Sequence, residues 1–113
     1  MSVELAERQE GLVTVVTLKG RLALGEGSNA LNERLQSLIA NGQVKLLLEC
    51  SQVSVLDSQG ISALVRGIVS AGKRGGKLKL LNMSPRVRQV LEVTRLLTLI
   101  ESFDDEAKAL ASF

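Results

Sequence analysis

The chain has 113 residues, 45% of them hydrophobic and 23% charged, a balance typical of a folded globular protein rather than a disordered one. Its net charge of +2 is too small to indicate nucleic-acid binding, and its two aromatic residues cannot form a stacking platform for single strands. The chain contains no histidine and only one cysteine, which excludes histidine-based catalytic triads, histidine-containing metal sites and an internal disulfide.

Three features of the sequence predict the cellular compartment of the protein. No apolar run is as long as a membrane span, and residues 1–4 lack the basic and apolar regions of a signal peptide. With no internal disulfide, these features predict a cytoplasmic protein that binds neither a membrane nor nucleic acid. We expect one domain over residues 1–113, without a metal, a cofactor or enzymatic activity, since no paired acids mark a cleft.

The first two elements are predicted to be strands that pair as an antiparallel hairpin. Residues 3–7 alternate apolar and polar side chains, and residues 12–19 are rich in valine and threonine. Glu10 and Gly11 between them supply a turn.

A glycine-bearing loop over residues 20–27 is predicted to lead into the first helix. Ser28 or Asn29 would cap this helix, which runs to about Ala40. Asn41-Gly42 is a stop signal, because glycine tolerates the left-handed conformation that ends many helices. The apolar stripe of this helix comprises Leu31, Leu35, Leu38 and Ile39.

Residues 44–50 form a continuous apolar run, which predicts a strand covered on both faces. Cys50 ends this run and is expected to be a small core residue that reacts slowly with thiol reagents.

Residues 51–58 are predicted to be a loop that leads into a strongly amphipathic helix. Asp57 and Ser58 lie where the strand ends and the helix begins, and both are preferred N-cap residue types. A serine hydroxyl there faces the positive end of the helix dipole, where free N–H groups suit a phosphate. The simpler alternative is that Ser58 only caps the helix. The predicted buried stripe of this helix comprises Ile61, Leu64, Val65, Ile68 and Val69.

Four further elements complete the predicted fold. Residues 77–81 form a short strand, and Ser84 with Pro85 marks a helix start, since proline fits the first helical position. Residues 96–100 are predicted to be a last strand, and residues 102–105 resemble a capping box that begins a closing helix.

The predicted order is therefore ββαβαβαβα, which indicates an α/β fold with a mostly parallel sheet of four to five strands and an antiparallel first strand. If the strands follow one another in one direction, all four helices lie on one face. The loops at the carboxyl ends of the strands then share one edge of the sheet, where ligands and partners usually bind. Ser58 lies at this edge beside apolar residues that either form a contact surface or seal the sheet end: Leu22, Leu24, Val55 and Leu56.

Along essentially its whole length the chain resembles a STAS domain, and specifically the small bacterial anti-sigma factor antagonists. The most specific motif is Asp57-Ser58-Gln59-Gly60-Ile61, which is similar to the family's Asp-Ser-x-Gly-Leu/Ile after the third strand. Supporting segments are Gly20-Arg21-Leu22, Gly75-Gly76-Lys77-Leu78, residues 81–87 and residues 103–107.

The resemblance implies a partner-switching cycle. The unphosphorylated antagonist binds an anti-sigma factor that is also a serine kinase, and the sigma factor is released. The kinase then phosphorylates the serine after the aspartate, here Ser58, and a serine phosphatase resets the cycle. Asp57 would orient the loop or assist the transfer, and ATP and magnesium belong to the kinase. The implied partner surface comprises Asp57, Ser58, Gln59, Gly60, Leu22, Leu24, Val55, Leu56, Ile61, Ser62 and Met83.

Two positions depart from the family pattern. Ala23 stands where many antagonists carry an aspartate, and Gln59 stands where a second small hydroxyl residue is common. The first change affects the partner contact of the loop after the second strand. The second leaves Ser58 as the one hydroxyl residue of the motif.

Two alternative functions remain open. A STAS domain can act as a docking subunit of a transporter or sensor complex, without regulated phosphorylation. The loop Gly25-Glu26-Gly27-Ser28 also suggests a small enzyme or nucleotide-binding protein, although it lacks the Gly-Lys-Ser/Thr ending of a phosphate loop. The sequence also leaves open whether the chain forms a weak homodimer.

Overall fold

The computed structural model describes residues 3–23 and 25–113, apart from the side chain of Glu26. The predicted order ββαβαβαβα is confirmed. The elements are β1 (Val3–Glu10), β2 (Val13–Leu22), α1 (Glu26–Ala40), β3 (Lys45–Leu56), α2 (Ser58–Lys73), β4 (Lys77–Leu81), α3 (Pro85–Val93), β5 (Ser102–Phe103) and α4 (Glu106–Ala111).

The five strands form one sheet in the order β1-β2-β3-β4-β5. β1 runs antiparallel to β2, with Val3 opposite Gly20 and Glu10 opposite Val13, and the other neighbours are parallel. The mostly parallel sheet with an antiparallel first strand is therefore confirmed, and its strands follow one another in one direction.

The placement of all four helices on one face was wrong. Helices α1, α2 and α3 cover one face over the main core, whereas α4 covers the other face together with a smaller apolar cluster. Because α4 follows the last strand, no crossover to a further strand determines its side. An ion pair between Arg8 and Glu106 also joins α4 to β1. The smaller cluster comprises Val13, Val15, Leu47, Leu81 and Ala109, flanked by Phe103, Leu110 and Phe113.

Two predicted segments differ in kind from the structure. Most of residues 51–58 continues β3 as strand, because the end of β2 pairs alongside it, with Leu22 opposite Leu56. Residues 96–100 form turns instead of a strand: the amide of Ile100 donates to the carbonyl of Leu96 at 3.2 Å. An apolar run this short does not by itself distinguish a strand from other structure, and here Leu99 is 75% exposed.

Of the predicted helix caps, that of α3 is confirmed and that of α1 was wrong. Ser84 caps α3 as expected, with its Oγ accepting from the amide of Val87 at 3.2 Å and proline following it. Ser28 does not cap α1, which begins at Glu26 without a side-chain cap. The capping box predicted over residues 102–105 was wrong, because Ser102 lies in β5 and Asp105 caps α4, its side chain accepting from the backbone amide of Lys108.

Cys50 lies in the core, as expected. Its side chain is 2% exposed, and its Sγ donates to the carbonyl of Leu81 at 3.5 Å. Burial, with a smaller contribution from the charge of Glu49, raises the pKa of the Cys50 thiol to about 12.

Candidate functional site

The residues of the predicted motif meet at the carboxyl end of the sheet, where β3 passes into α2. Asp57 is the N-cap: its Oδ1 accepts from the amides of Gln59 at 2.9 Å and Gly60 at 3.0 Å. The first hydrogen bond within the helix follows, from the amide of Ile61 to the carbonyl of Asp57 at 2.9 Å. Asp57 rather than Ser58 therefore caps α2, and the alternative in which Ser58 serves only as a cap is wrong.

Ser58 is the first residue of α2 and is exposed. Its hydroxyl makes no hydrogen bond to any residue that the structure describes. One turn later, Ser62 is also exposed, but its Oγ donates to the carbonyl of Ser58 at 2.9 Å. Of the two hydroxyls, that of Ser58 is the more available to an incoming enzyme.

Gly60 lets the start of α2 lie directly against the end of β2. A Cβ at this position would overlap the carbonyl oxygen of Leu22 and lie 2.8 Å from Cδ1 of Leu56. The amide of Asp57 donates to the same Leu22 carbonyl at 3.3 Å. These contacts fix the position of Ser58 relative to the sheet edge.

The other predicted partner residues divide by exposure. Leu22 and Leu56 are only 1% and 5% exposed, so they form part of the core beneath the site and offer little area to a partner. Gln59 and Ser62 are exposed beside Ser58. Val55, Ile61 and Met83 are half-buried, Gly60 is buried, and Leu24 lies outside the described residues.

The buried stripe predicted for α2 was partly wrong. Leu64 is buried, but Val65 and Val69 are 39% and 49% exposed. The helix instead packs through small residues, and a Cβ at Gly67 would lie 2.8 Å from Leu35 and 3.0 Å from Leu78. The buried residues of α2 are Gly60, Ala63, Leu64, Gly67 and Ala71.

This packing creates a surface that the sequence pattern does not predict. Ser58, Ser62, Val65 and Val69 are all exposed and recur at helical spacing, so they follow one side of α2. The clue in the sequence is the set of small residues in α2, which allows a close approach to the sheet and turns the valines outward.

The glycine loop before α1 does not resemble a phosphate-binding loop. Gly27 packs against the backbone of Arg21, whose carbonyl a Cβ at residue 27 would overlap. The amide of Ser28 donates to the carbonyl of Ala23 at 3.0 Å, and that of Asn29 donates to the carbonyl of Gly25. Two of the amides at the start of α1 are therefore engaged within the chain, and the close packing of Gly27 leaves no room for a phosphate beside the Arg21 carbonyl.

The described part of the chain offers neither a metal site nor a membrane span. Within it, no group of three or more aspartate, glutamate, cysteine or histidine residues is arranged to hold a metal ion. No helix there has the length and apolar character needed to cross a membrane.

Sequence and structure comparisons agree on one fold. The model of the STAS domain family matches residues 5–109. No curated protein sequence matches the chain significantly.

Solved structures share the fold closely. A candidate anti-sigma factor antagonist from Thermotoga maritima has a TM-score of 0.87 at 20% identity, over 96% of this chain and 92% of that one. An anti-sigma factor antagonist from Mycobacterium paratuberculosis has a TM-score of 0.82 at 21% identity, over 98% and 93%. The phosphorylated form of the Bacillus cell fate determinant SpoIIAA has a TM-score of 0.73 at 18% identity, over 99% and 100%.

Proposed function

The chain belongs to the STAS domain family, and we propose that it is an anti-sigma factor antagonist controlled by phosphorylation. In its unphosphorylated state it binds an anti-sigma factor that is also a serine kinase, and the sigma factor is released. The observation that carries this proposal is the exposed hydroxyl of Ser58 on the first residue of α2, with Asp57 holding the helix cap beside it.

The chemistry requires little of this chain beyond a positioned hydroxyl. The Oγ of Ser58 attacks the γ-phosphorus of ATP held by the kinase, the bond from that phosphorus to the bridging oxygen breaks, and ADP leaves. The hydroxyl proton passes to a base of the kinase. The Asp57 carboxylate supports this step by fixing the first turn of α2 through the amides of Gln59 and Gly60. A serine phosphatase restores the free hydroxyl.

Phosphorylation releases the partner because the phosphate adds a charge of about −1.5 to −2 at Ser58, where the unmodified surface is neutral. A partner fitted to the unmodified serine must desolvate this charge beside the Asp57 carboxylate. A cost of about 3 kcal/mol is reasonable for such burial and weakens binding about a hundredfold.

The decisive experiment is a pull-down from host lysate without ATP, followed by elution with ATP and magnesium. We expect a kinase to be captured, to be released by ATP, and to leave one phosphate on Ser58. Ser58→Ala should capture the same protein and hold it after ATP is added. Ser62→Ala is the matched control for the acceptor, since it removes the neighbouring exposed hydroxyl but keeps Ser58, and ATP should still release the captured protein and leave one phosphate on Ser58.

Two other outcomes would decide against this proposal. Release by ATP with phosphate on a different residue would exclude Ser58 as the acceptor. Capture of a membrane transporter or sensor subunit that neither responds to ATP nor modifies Ser58 would instead establish the docking role.

A further inference from the structure

The start of α2 has three backbone N–H groups ahead of its first internal hydrogen bond, those of Ser58, Gln59 and Gly60. The Asp57 carboxylate already accepts from the last two, at 2.9 and 3.0 Å. We infer that a phosphate on Ser58 competes with the Asp57 carboxylate for these amides, so that phosphorylation disturbs the N-cap of α2 as well as repelling the partner. This inference rests on the proposed phosphorylation of Ser58.

The competition follows from the positions of the two anions. A phosphate is attracted to the positive end of a helix and to its free N–H groups. At α2, however, Asp57 occupies that position first, and the phosphate is attached to the next residue. Two anions on adjacent residues repel each other, and either the carboxylate gives up its amides or the phosphate remains in solvent. In the first case the first turn loses the stabilisation that Asp57 supplies through the amides of Gln59 and Gly60, and in the second case the two neighbouring charges still repel each other and destabilise the folded state.

The structure also indicates which part of the site can respond. Even a Cβ at Gly60 would overlap the carbonyl of Leu22, so the helix start has little room to move further toward β2. Ser58 and Gln59 are exposed and free to move outward. The Oγ of Ser62 donates to the carbonyl of Ser58, which extends any change to the next turn. A disturbed cap therefore alters the residues that we propose the partner contacts, in shape as well as in charge.

The test separates the cap from the partner. Phosphoserine is installed at position 58 by nonsense suppression during synthesis, so neither kinase nor partner is needed. Unmodified and phosphorylated forms are then compared in wild type and in Asp57→Asn, because asparagine keeps an oxygen that can cap the helix but carries no charge. The two measurements are the melting temperature and the hydrogen exchange of the Gln59 and Gly60 amides.

We expect phosphorylation to lower the melting temperature of wild type by about 4 °C and to leave that of Asp57→Asn nearly unchanged. Exchange of the Gln59 and Gly60 amides should become roughly fivefold faster in phosphorylated wild type only, as the repelled carboxylate releases them. Asp105→Asn is the matched control. It makes the same change at the cap of α4, where the side chain accepts from the Lys108 amide at 2.9 Å, and it should respond to the phosphate as wild type does.

Equal effects of the phosphate in wild type and Asp57→Asn would overturn the inference. That result would leave the proposed function intact, because neither the melting temperature nor the amide exchange involves the partner. If Asp57→Asn does not fold, Asp57→Ser supplies a second neutral cap for the same comparison.

Discussion

The ammonium group of Lys79 lies 4.7 Å from the centre of the Phe113 ring. The centre of the Phe103 ring lies 5.8 Å from the same ammonium group. Phe103 and Phe113 are the two aromatic residues of the sequence, so both rings lie beside one buried cation. Lys79 is 1% exposed, and its Nζ donates to the carbonyl and hydroxyl of Ser112 at 3.0 and 2.9 Å. Glu101 completes the set with an ion pair at 3.2 Å. This buried charge is therefore well compensated and holds the end of α4 against the sheet.

The attraction between Lys79 and Phe113 predicts a measurable coupling. Phe113→Leu should destabilise wild type by about 1 kcal/mol more than it destabilises Lys79→Met, because only wild type has a cation for the ring to face. Chemical denaturation of the four proteins in this double-mutant cycle gives the coupling energy directly. Equal costs in both backgrounds would show that Phe113 acts only by apolar packing.

The contact between Gly60 and the Leu22 carbonyl predicts a cost for added bulk. Gly60→Ala should lower the free energy of unfolding by about 3 kcal/mol, although alanine is the better helix former, since its Cβ overlaps the carbonyl oxygen. Gly72→Ala is the matched control in the same helix. A Cβ there has no neighbour within 4 Å, so this variant should be unchanged or more stable by up to about 1 kcal/mol. Similar thermal denaturation curves for the two variants would contradict the close approach.

These contacts show how far the sequence predicted the fold. Ser84 and Pro85 predicted the start of α3 correctly, because a cap is local chemistry within four residues. The strand order also followed from the alternation of elements. The side taken by α4 could not be predicted, because it depends on Phe113 and Lys79 meeting across 34 residues of sequence.

The site was predicted less completely than the fold, for a related reason. Asp57 and Ser58 were both recognised as cap residues, but only the geometry shows which of them accepts from the first-turn amides. Val65 and Val69 match a buried stripe by spacing. They are exposed because Gly67 brings α2 so close to Leu35 and Leu78 that small residues fill the interface.

Cys50 should resist thiol reagents in the folded protein. Burial raises the pKa of this thiol to about 12, so almost no thiolate is present at neutral pH, and the sulfur is also shielded sterically. Labelling with a disulfide reagent should be at least about a hundredfold slower in buffer than in denaturant. Equal rates in the two conditions would show that β3 opens readily.

The raised pKa of Cys50 also predicts a dependence of stability on pH. The folded state favours the neutral thiol, so this contribution is fully present below the ordinary thiol pKa of 9.0 and is lost as pH rises toward 12. The stability difference between wild type and Cys50→Ala should therefore decline above pH 9, as measured by denaturation at several pH values. A constant difference over that window would contradict the effect of burial.

The exposed side of α2 should extend the partner surface beyond the motif. Val69→Asp should weaken binding to the proposed anti-sigma partner by about tenfold or more, because it would place a charge in the expected apolar contact. Val93→Asp is the control, since Val93 is 77% exposed at the end of α3. Calorimetry should show weaker binding for the first variant alone, with similar melting temperatures for both. Equal binding by both variants would confine the partner to the start of α2.

Ser58 provides the most direct test of the proposed switch. Ser58→Ala should bind the proposed anti-sigma factor as tightly as unphosphorylated wild type does, because it removes a hydroxyl without adding charge. It should also accept no phosphate from the proposed kinase. Ser58→Asp should still fold, since the helix dipole offsets part of the repulsion between the new acid and Asp57. It should bind about a hundredfold more weakly, because its charge must be desolvated beside Asp57. Calorimetry against the partner measures both affinities, and a melting curve for each variant confirms folding. Equal affinities for wild type, Ser58→Ala and Ser58→Asp would rule out Ser58 as the residue through which phosphorylation controls binding.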